Sequence, residues 1–78
     1  MLRLPVVSSN VKAIGYDPEE KTLEVEFLNG GIYQYGGIQQ ELYDELLAAE
    51  SVGRFIAQAI RPGRKAKKIE SGGENNEQ

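Results

Sequence analysis

The chain contains no cysteine and no histidine. Without cysteine, no disulfide or thiolate metal site can reinforce a small core. Without histidine, the usual zinc, copper and imidazole general-base chemistries are excluded. Carboxylate sites for magnesium or calcium stay open, yet the acids show no EF-hand spacing, and no cofactor is expected. Long apolar runs are missing as well. The opening MLRLPVV is too short for a signal-peptide core and is interrupted by Pro5 and by Ser8-Ser9. Nothing approaches the roughly 20 apolar residues of a membrane span. The expectation is a cytoplasmic protein that does not meet a membrane.

What is present fits one domain of 78 residues, a size at which folding buries only about 60% of the unfolded chain's surface. The net charge of −3 is unevenly spread. Residues 1–60 set four basic groups (Arg3, Lys12, Lys21, Arg54) against nine acids, whereas residues 61–70 set five against Glu70. Whole-chain acidity argues against a general nucleic-acid binder, while the local excess keeps a basic arm over residues 62–70 in play. Residues 71–78, SGGENNEQ, are polar and glycine-rich and are expected to be disordered.

Periodicity supplies the elements. VKAIGYD (11–17) reads as a strand with Ile14 and Tyr16 on one face. Asp17-Pro18 opens a turn. TLEVEFL then alternates, with Leu23, Val25 and Phe27 on one side and Thr22, Glu24 and Glu26 on the other. Asn29-Gly30 signals a hairpin into a third strand, IYQYGGI. From Gln39 the period lengthens, and Ile38, Leu42, Leu46 and Ala49 mark an amphipathic helix. Ser51 can cap a second helix, VGRFIAQAI, which Pro62-Gly63 stops. Gly53 inside it costs about 1 kcal/mol against alanine, which tight packing of that turn would explain. The expected fold is α+β: a three-stranded antiparallel meander packed on one face by two C-terminal helices.

The hairpin register decides where Tyr33 and Tyr35 point. A two-residue turn at Asn29-Gly30 pairs Glu26 with Tyr33 and turns both tyrosines outward beside Glu24 and Glu26. A three-residue loop, Asn29-Gly30-Gly31, pairs Phe27 with Tyr33 and Val25 with Tyr35, which turns them inward. One residue of slip exchanges the faces. The second register is favoured, because the first puts Gln34 in the core while exposing two aromatics. Its cost is an exposed Leu28–Ile32 pair that the N-terminal segment would have to cover.

Val7-Ser8-Ser9, IGYD, TLEVEF, NG, YQY and the helical run ELYDELLAAESVGRFIAQAIR together resemble the KTSC domain. That family is named after a domain at the C-terminus of some lysyl-tRNA synthetases and also occurs as small stand-alone bacterial and phage-associated proteins. Its central mark is Tyr-any-Tyr, here Tyr33-Gln34-Tyr35, accompanied by Gly15-Tyr16-Asp17, Phe27, Ser51-Val52-Gly53 and Ile60-Arg61. Gln39 departs from the pattern, where the family often has proline. The resemblance covers about residues 7–61, so residues 1–61 are taken as the domain. It implies a compact α+β module and suggests RNA binding. No synthetase accompanies these residues, so a part in aminoacylation does not carry over.

The candidate nucleic-acid contacts are Tyr33 and Tyr35, which can stack on unpaired bases, and Arg61, Arg64, Lys65, Lys67 and Lys68, which can neutralise phosphates. The plainer reading makes the tyrosines hairpin core and the basic stretch a solvated arm. Arg54, two helical turns before Arg61, either extends the basic patch or pairs with acids of the first helix. Ser8, Ser9 and Ser51 have no histidine to activate them. The acids Asp17, Glu19 and Glu20 sit in an exposed turn unsuited to acid/base work. The glycines at 30, 31, 36 and 37 do not lead from a strand into a helix, as a phosphate loop must. No enzyme is expected. The rival to an RNA partner is a protein partner or a homo-oligomer, using the acidic face of the sheet and whichever apolar residues the N-terminal segment leaves uncovered. A small-ligand site between subunits is a third possibility.

Overall fold

The computed structural model describes residues 3–6, 8 and 10–69; the expected disordered tail, residues 71–78, lies outside them. Five strands form one antiparallel sheet in sequence order: β1 (Leu4–Pro5), β2 (Val11–Asp17), β3 (Thr22–Phe27), β4 (Ile32–Tyr35) and β5 (Lys67–Ile69). The helices α1 (Gln40–Ala48) and α2 (Val52–Phe55) lie between β4 and β5. α2 continues directly into a π-helical turn, Ile56–Ile60.

The three-stranded expectation is therefore corrected to five strands. The two additions are the edges, two and three residues long, too short to show a period. β1 contains Pro5, which an edge tolerates and a central strand does not. β5 comes from within the expected basic arm, and two of its three residues are lysines, which strands disfavour. Residues 67–69 are held as a strand by pairing with β4, Ile32 with Ile69 and Gln34 with Lys67.

The central elements follow from their sequences. Leu23 and Val25 of β3 are fully buried, as are Ile14 of β2, Ile38, Leu46 of α1, and Ile56 and Ile60. These residues join Tyr35 in one cluster between the sheet and the helices. The turn after β2 is built by Asp17, whose Oδ1 accepts from the Glu19 and Glu20 N–H groups at 3.0 and 3.2 Å. Tyr16 stacks on Tyr43 of α1 with centroids 4.5 Å apart and donates its hydroxyl to the Ile38 carbonyl. Ser51 caps α2, its Oγ accepting from the Arg54 N–H at 3.3 Å.

The π-helical turn has a geometric use. Val52, Ile56 and Ile60 are all buried and recur every fourth residue. At about 100° per residue a step of four overshoots an α-helical turn. The wider i→i+5 turn undershoots instead, which returns Ile60 to the stripe. Gly53 sits where a Cβ would come within 2.2 Å of Asn10 Oδ1 and 3.3 Å of Ser8 Oγ. Close packing against the segment before β2 is thus the reason for glycine there.

The far face of the sheet is not the wet acidic surface that alternation predicts. Glu24 is only 7% exposed. It forms an ion pair with Arg3 and accepts from Gln34 Nε2 at 3.0 Å. Glu26 lies 3.5 Å from Arg3 Nε and 3.8 Å from Lys12 Nζ. Of the expected exposed pair, Ile32 is buried on this side, opposite Glu26 and Ile69, while Leu28 is exposed.

Candidate functional site

The site begins at the hairpin. Its loop has three residues, Leu28-Asn29-Gly30. The Phe27 N–H donates to the Gly31 carbonyl at 2.8 Å, and the Gly30 N–H to the Phe27 carbonyl at 2.9 Å. Gly30, at φ +97°, fills the left-handed position that ends a loop of this length. Asn29 Oδ1 accepts from the Gly31 N–H at 2.9 Å and fixes the tip. Val25 then faces Tyr33, and Leu23 faces Tyr35.

Neither register considered from the sequence is the observed one. The expected three-residue loop starts one residue too late, which displaces the pairing by two. A two-residue slide preserves the faces, so both tyrosines point inward as that register requires. Tyr35 is 3% exposed and belongs to the core. Tyr33 is half-buried and meets Phe27 edge-to-face at 5.7 Å.

Their outer margins nevertheless open on a cleft of about 300 Å³, lined by Phe27, Asn29, Tyr33, Tyr35, Arg61 and Ala66. Burial pushes the Tyr35 phenol above its ordinary value, the neighbouring Arg61 charge draws it partly back, and Tyr33 raises it further. Unlike Tyr16, neither cleft tyrosine has a hydrogen-bond partner for its hydroxyl among the described residues.

The basic candidates separate into distinct positions. Arg61 lines the cleft. Lys68 pairs across the β4–β5 ladder with Tyr33, and Lys67 pairs with Gln34 on the opposite face. Lys65 is exposed. Arg54 lies in a separate shallow depression with Glu50, Ser51 and Phe55. The reduced rotation per residue of the π-helical turn takes Arg61 out of phase with it.

Arg64 is occupied structurally. Its Nε donates to the Gly36 carbonyl at 3.2 Å and Nη2 to Gly37 at 3.3 Å. Its Nη1 donates to the Ile60 and Ala59 carbonyls at 3.1 and 3.4 Å. Those bonds cap the helical run and tie it to the end of β4. An arginine just past a helix end is a known partner for its last carbonyls, which is the one signal that was available in the sequence. Asn29, Phe27 and Ala66 were not anticipated as cleft walls. Among the described residues, no cluster of acids could hold a metal ion, and no helix is long and apolar enough to cross a membrane.

With this arrangement established, the relatives can be placed. The KTSC domain model matches residues 7–63. The chain belongs to the KTSC domain family. An uncharacterised protein of Stutzerimonas stutzeri is 42% identical over 62 residues, covering 80% of this chain and 87% of the relative. A Tsukamurella paurometabola protein is 47% identical over 58 residues, covering 74% and 87%. The crystal structure of a KTSC domain protein from Yersinia pestis superposes with a TM-score of 0.83 at 38% identity, over 87% of this chain and 96% of that one. The KTSC match includes Tyr33, Tyr35, Arg54 and Arg61 and stops before Arg64 and β5. The cleft of this KTSC domain thus combines walls inside the match with Ala66 beyond it.

Proposed function

We propose that this KTSC domain is a non-catalytic binding module whose ligand is single-stranded RNA, received at the cleft beside β4. One observation carries the reading: Phe27, Tyr33 and Tyr35 share that cleft with the guanidinium of Arg61. Lys68, opposite Tyr33 on the edge strand, extends the basic character along it. Aromatic groups beside cations are what a base and its phosphate require. The two phenol hydroxyls can pair with a ribose 2′-OH, which favours RNA over DNA. Lys65 and Lys67 add charge nearby in sequence, whereas Arg64 and Arg54 are left out of the contact surface.

The test is an NMR titration of ¹⁵N-labelled protein with a mixed single-stranded RNA and its DNA counterpart, at low and moderate salt. Shifts at Tyr33, Tyr35 and Arg61 that weaken with salt, and that Arg61→Gln diminishes, are the expected result. A silent titration overturns the reading.

The rival, a protein partner or self-association, would use the acidic sheet face together with uncovered apolar residues such as Leu28, 58% exposed; its acidic part requires free carboxylates. Glu24 and Glu26 are instead engaged with Arg3, Lys12 and Gln34.

A further inference from the structure

The hairpin tip determines what Asn29 can offer to a ligand. The Gly31 N–H donates to Asn29 Oδ1 at 2.9 Å. Exchanging the two ends of the amide would set a donor against a donor, so the oxygen is committed to the turn. One of the oxygen's two lone pairs is thus taken, and the larger free hydrogen-bonding capacity of Asn29 is its Nδ2 group, with two protons to give. Arg61, the one charged residue lining the cleft among the described residues, is also a donor without acceptor capacity. Phe27 and Ala66 add no polar side-chain atom, and the hydroxyls of Tyr33 and Tyr35 can serve in either sense. Among the lining side chains, the groups of fixed sense, Arg61 and Asn29 Nδ2, are hydrogen-bond donors.

Its size sets a second condition. About 300 Å³ lies at the lower end of the range for ligand sites, which suits one base at a time. Of the two purines, guanine places two acceptors, O6 and N7, side by side on one edge. Adenine interrupts the same edge with its N6 amino donor. Building on the RNA reading of this cleft, we propose that it selects guanine over adenine, with Asn29 as the residue that sets the preference. Stacking against the aromatic wall is common to both purines, so it cannot supply the difference.

The trinucleotides UGU and UAU carry the same phosphates, so the basic edge contributes equally to both and their affinity ratio reports on the cleft. By calorimetry, UGU should bind about tenfold more tightly, the difference made by one matched hydrogen bond. Asn29→Asp keeps an oxygen for the Gly31 N–H and replaces the donor with an acceptor. In that variant the ratio should fall to about one or reverse, since a carboxylate suits the adenine amino group. A preference for UGU that survives Asn29→Asp overturns the assignment to Asn29. Equal binding of both trinucleotides, lost together in Arg61→Gln, overturns the base preference while the RNA reading stands. If neither trinucleotide shifts the resonances of Tyr33, Tyr35 and Arg61, both readings fall.

Discussion

Arg64 donates from Nε to the carbonyl of Gly36, 28 residues earlier in the chain, at 3.2 Å. With its other nitrogens on Gly37, Ala59 and Ile60, this one side chain joins the end of β4 to the end of the helical run. A residue that composition alone assigns to phosphate neutralisation is thus part of the framework.

That assignment can be tested directly. Arg64→Ala should cost about 1–3 kcal/mol of stability, the penalty for leaving partly buried carbonyls unpaired. Arg64→Lys keeps the charge but lacks the planar fork that reaches several acceptors, so it should recover less than half of the loss. Urea denaturation measures both. A lysine variant as stable as the parent would return Arg64 to the list of free cations.

Arg3 and Glu24 offer a second test. Removing one partner of a pair with little solvent access strands the other charge. Since Arg3 is 32% exposed, Arg3→Ala should cost about 1–2 kcal/mol, less than a fully buried pair. Glu24→Gln should cost less, because a neutral amide can still meet Gln34. Chemical denaturation at two salt concentrations should show partial screening, since Glu24 is shielded while Arg3 reaches solvent.

Gly53 sets helix propensity against space. Alanine should gain about 1 kcal/mol within an unobstructed helix, but its Cβ would fall 2.2 Å from Asn10 Oδ1. Gly53→Ala alone should therefore destabilise, by about 1–2 kcal/mol. Combined with Asn10→Ala the penalty should largely vanish, and the double-mutant cycle should show coupling of at least about 0.5 kcal/mol. Thermal melts of the four proteins decide it.

Alkaline pH should weaken the fold. Burial is the largest influence raising the Tyr35, Tyr43 and Tyr16 phenols above their ordinary 10.0. Asp44 adds to the rise at Tyr43, and Glu41, Asp44 and Asp17 add to it at Tyr16. A phenol that holds its proton in the folded state while the unfolded chain releases it makes stability fall with rising pH. The contribution is complete below about pH 10 and is lost as pH climbs through the folded values. Denaturation midpoints measured across that window should decline, and Tyr35→Phe should flatten part of the slope.

The sequence made the centre of the molecule legible and left its margins hidden, for reasons of length and distance. β2, β3 and α1 carry enough residues to show a period, and Leu23, Val25, Ile38 and Leu46 lie where it puts them. The inward facing of Tyr33 and Tyr35 was recoverable despite the wrong register, because alternation is indifferent to a slide of two. β1 and β5 are shorter than any usable window. The pairing of Glu24 with Arg3 depends on β1 arriving beside β2, which nothing near Glu24 announces. In the cleft, Arg61 and the tyrosines could be named in advance. Their meeting with Asn29 and Ala66 could not, since it depends on the loop's exact position and on the return of the chain as β5.

The two margins of the described sheet share a further property. An unpaired strand edge invites further strands to add to it, and proteins resist this by keeping edges short, charged or interrupted by proline. Here one border is two residues with Pro5, and the other is three residues with Lys67 and Lys68. Neither gives an incoming chain a template for cross-β growth, so this domain should remain free of fibrils at concentrations where a longer, uncharged border would seed them.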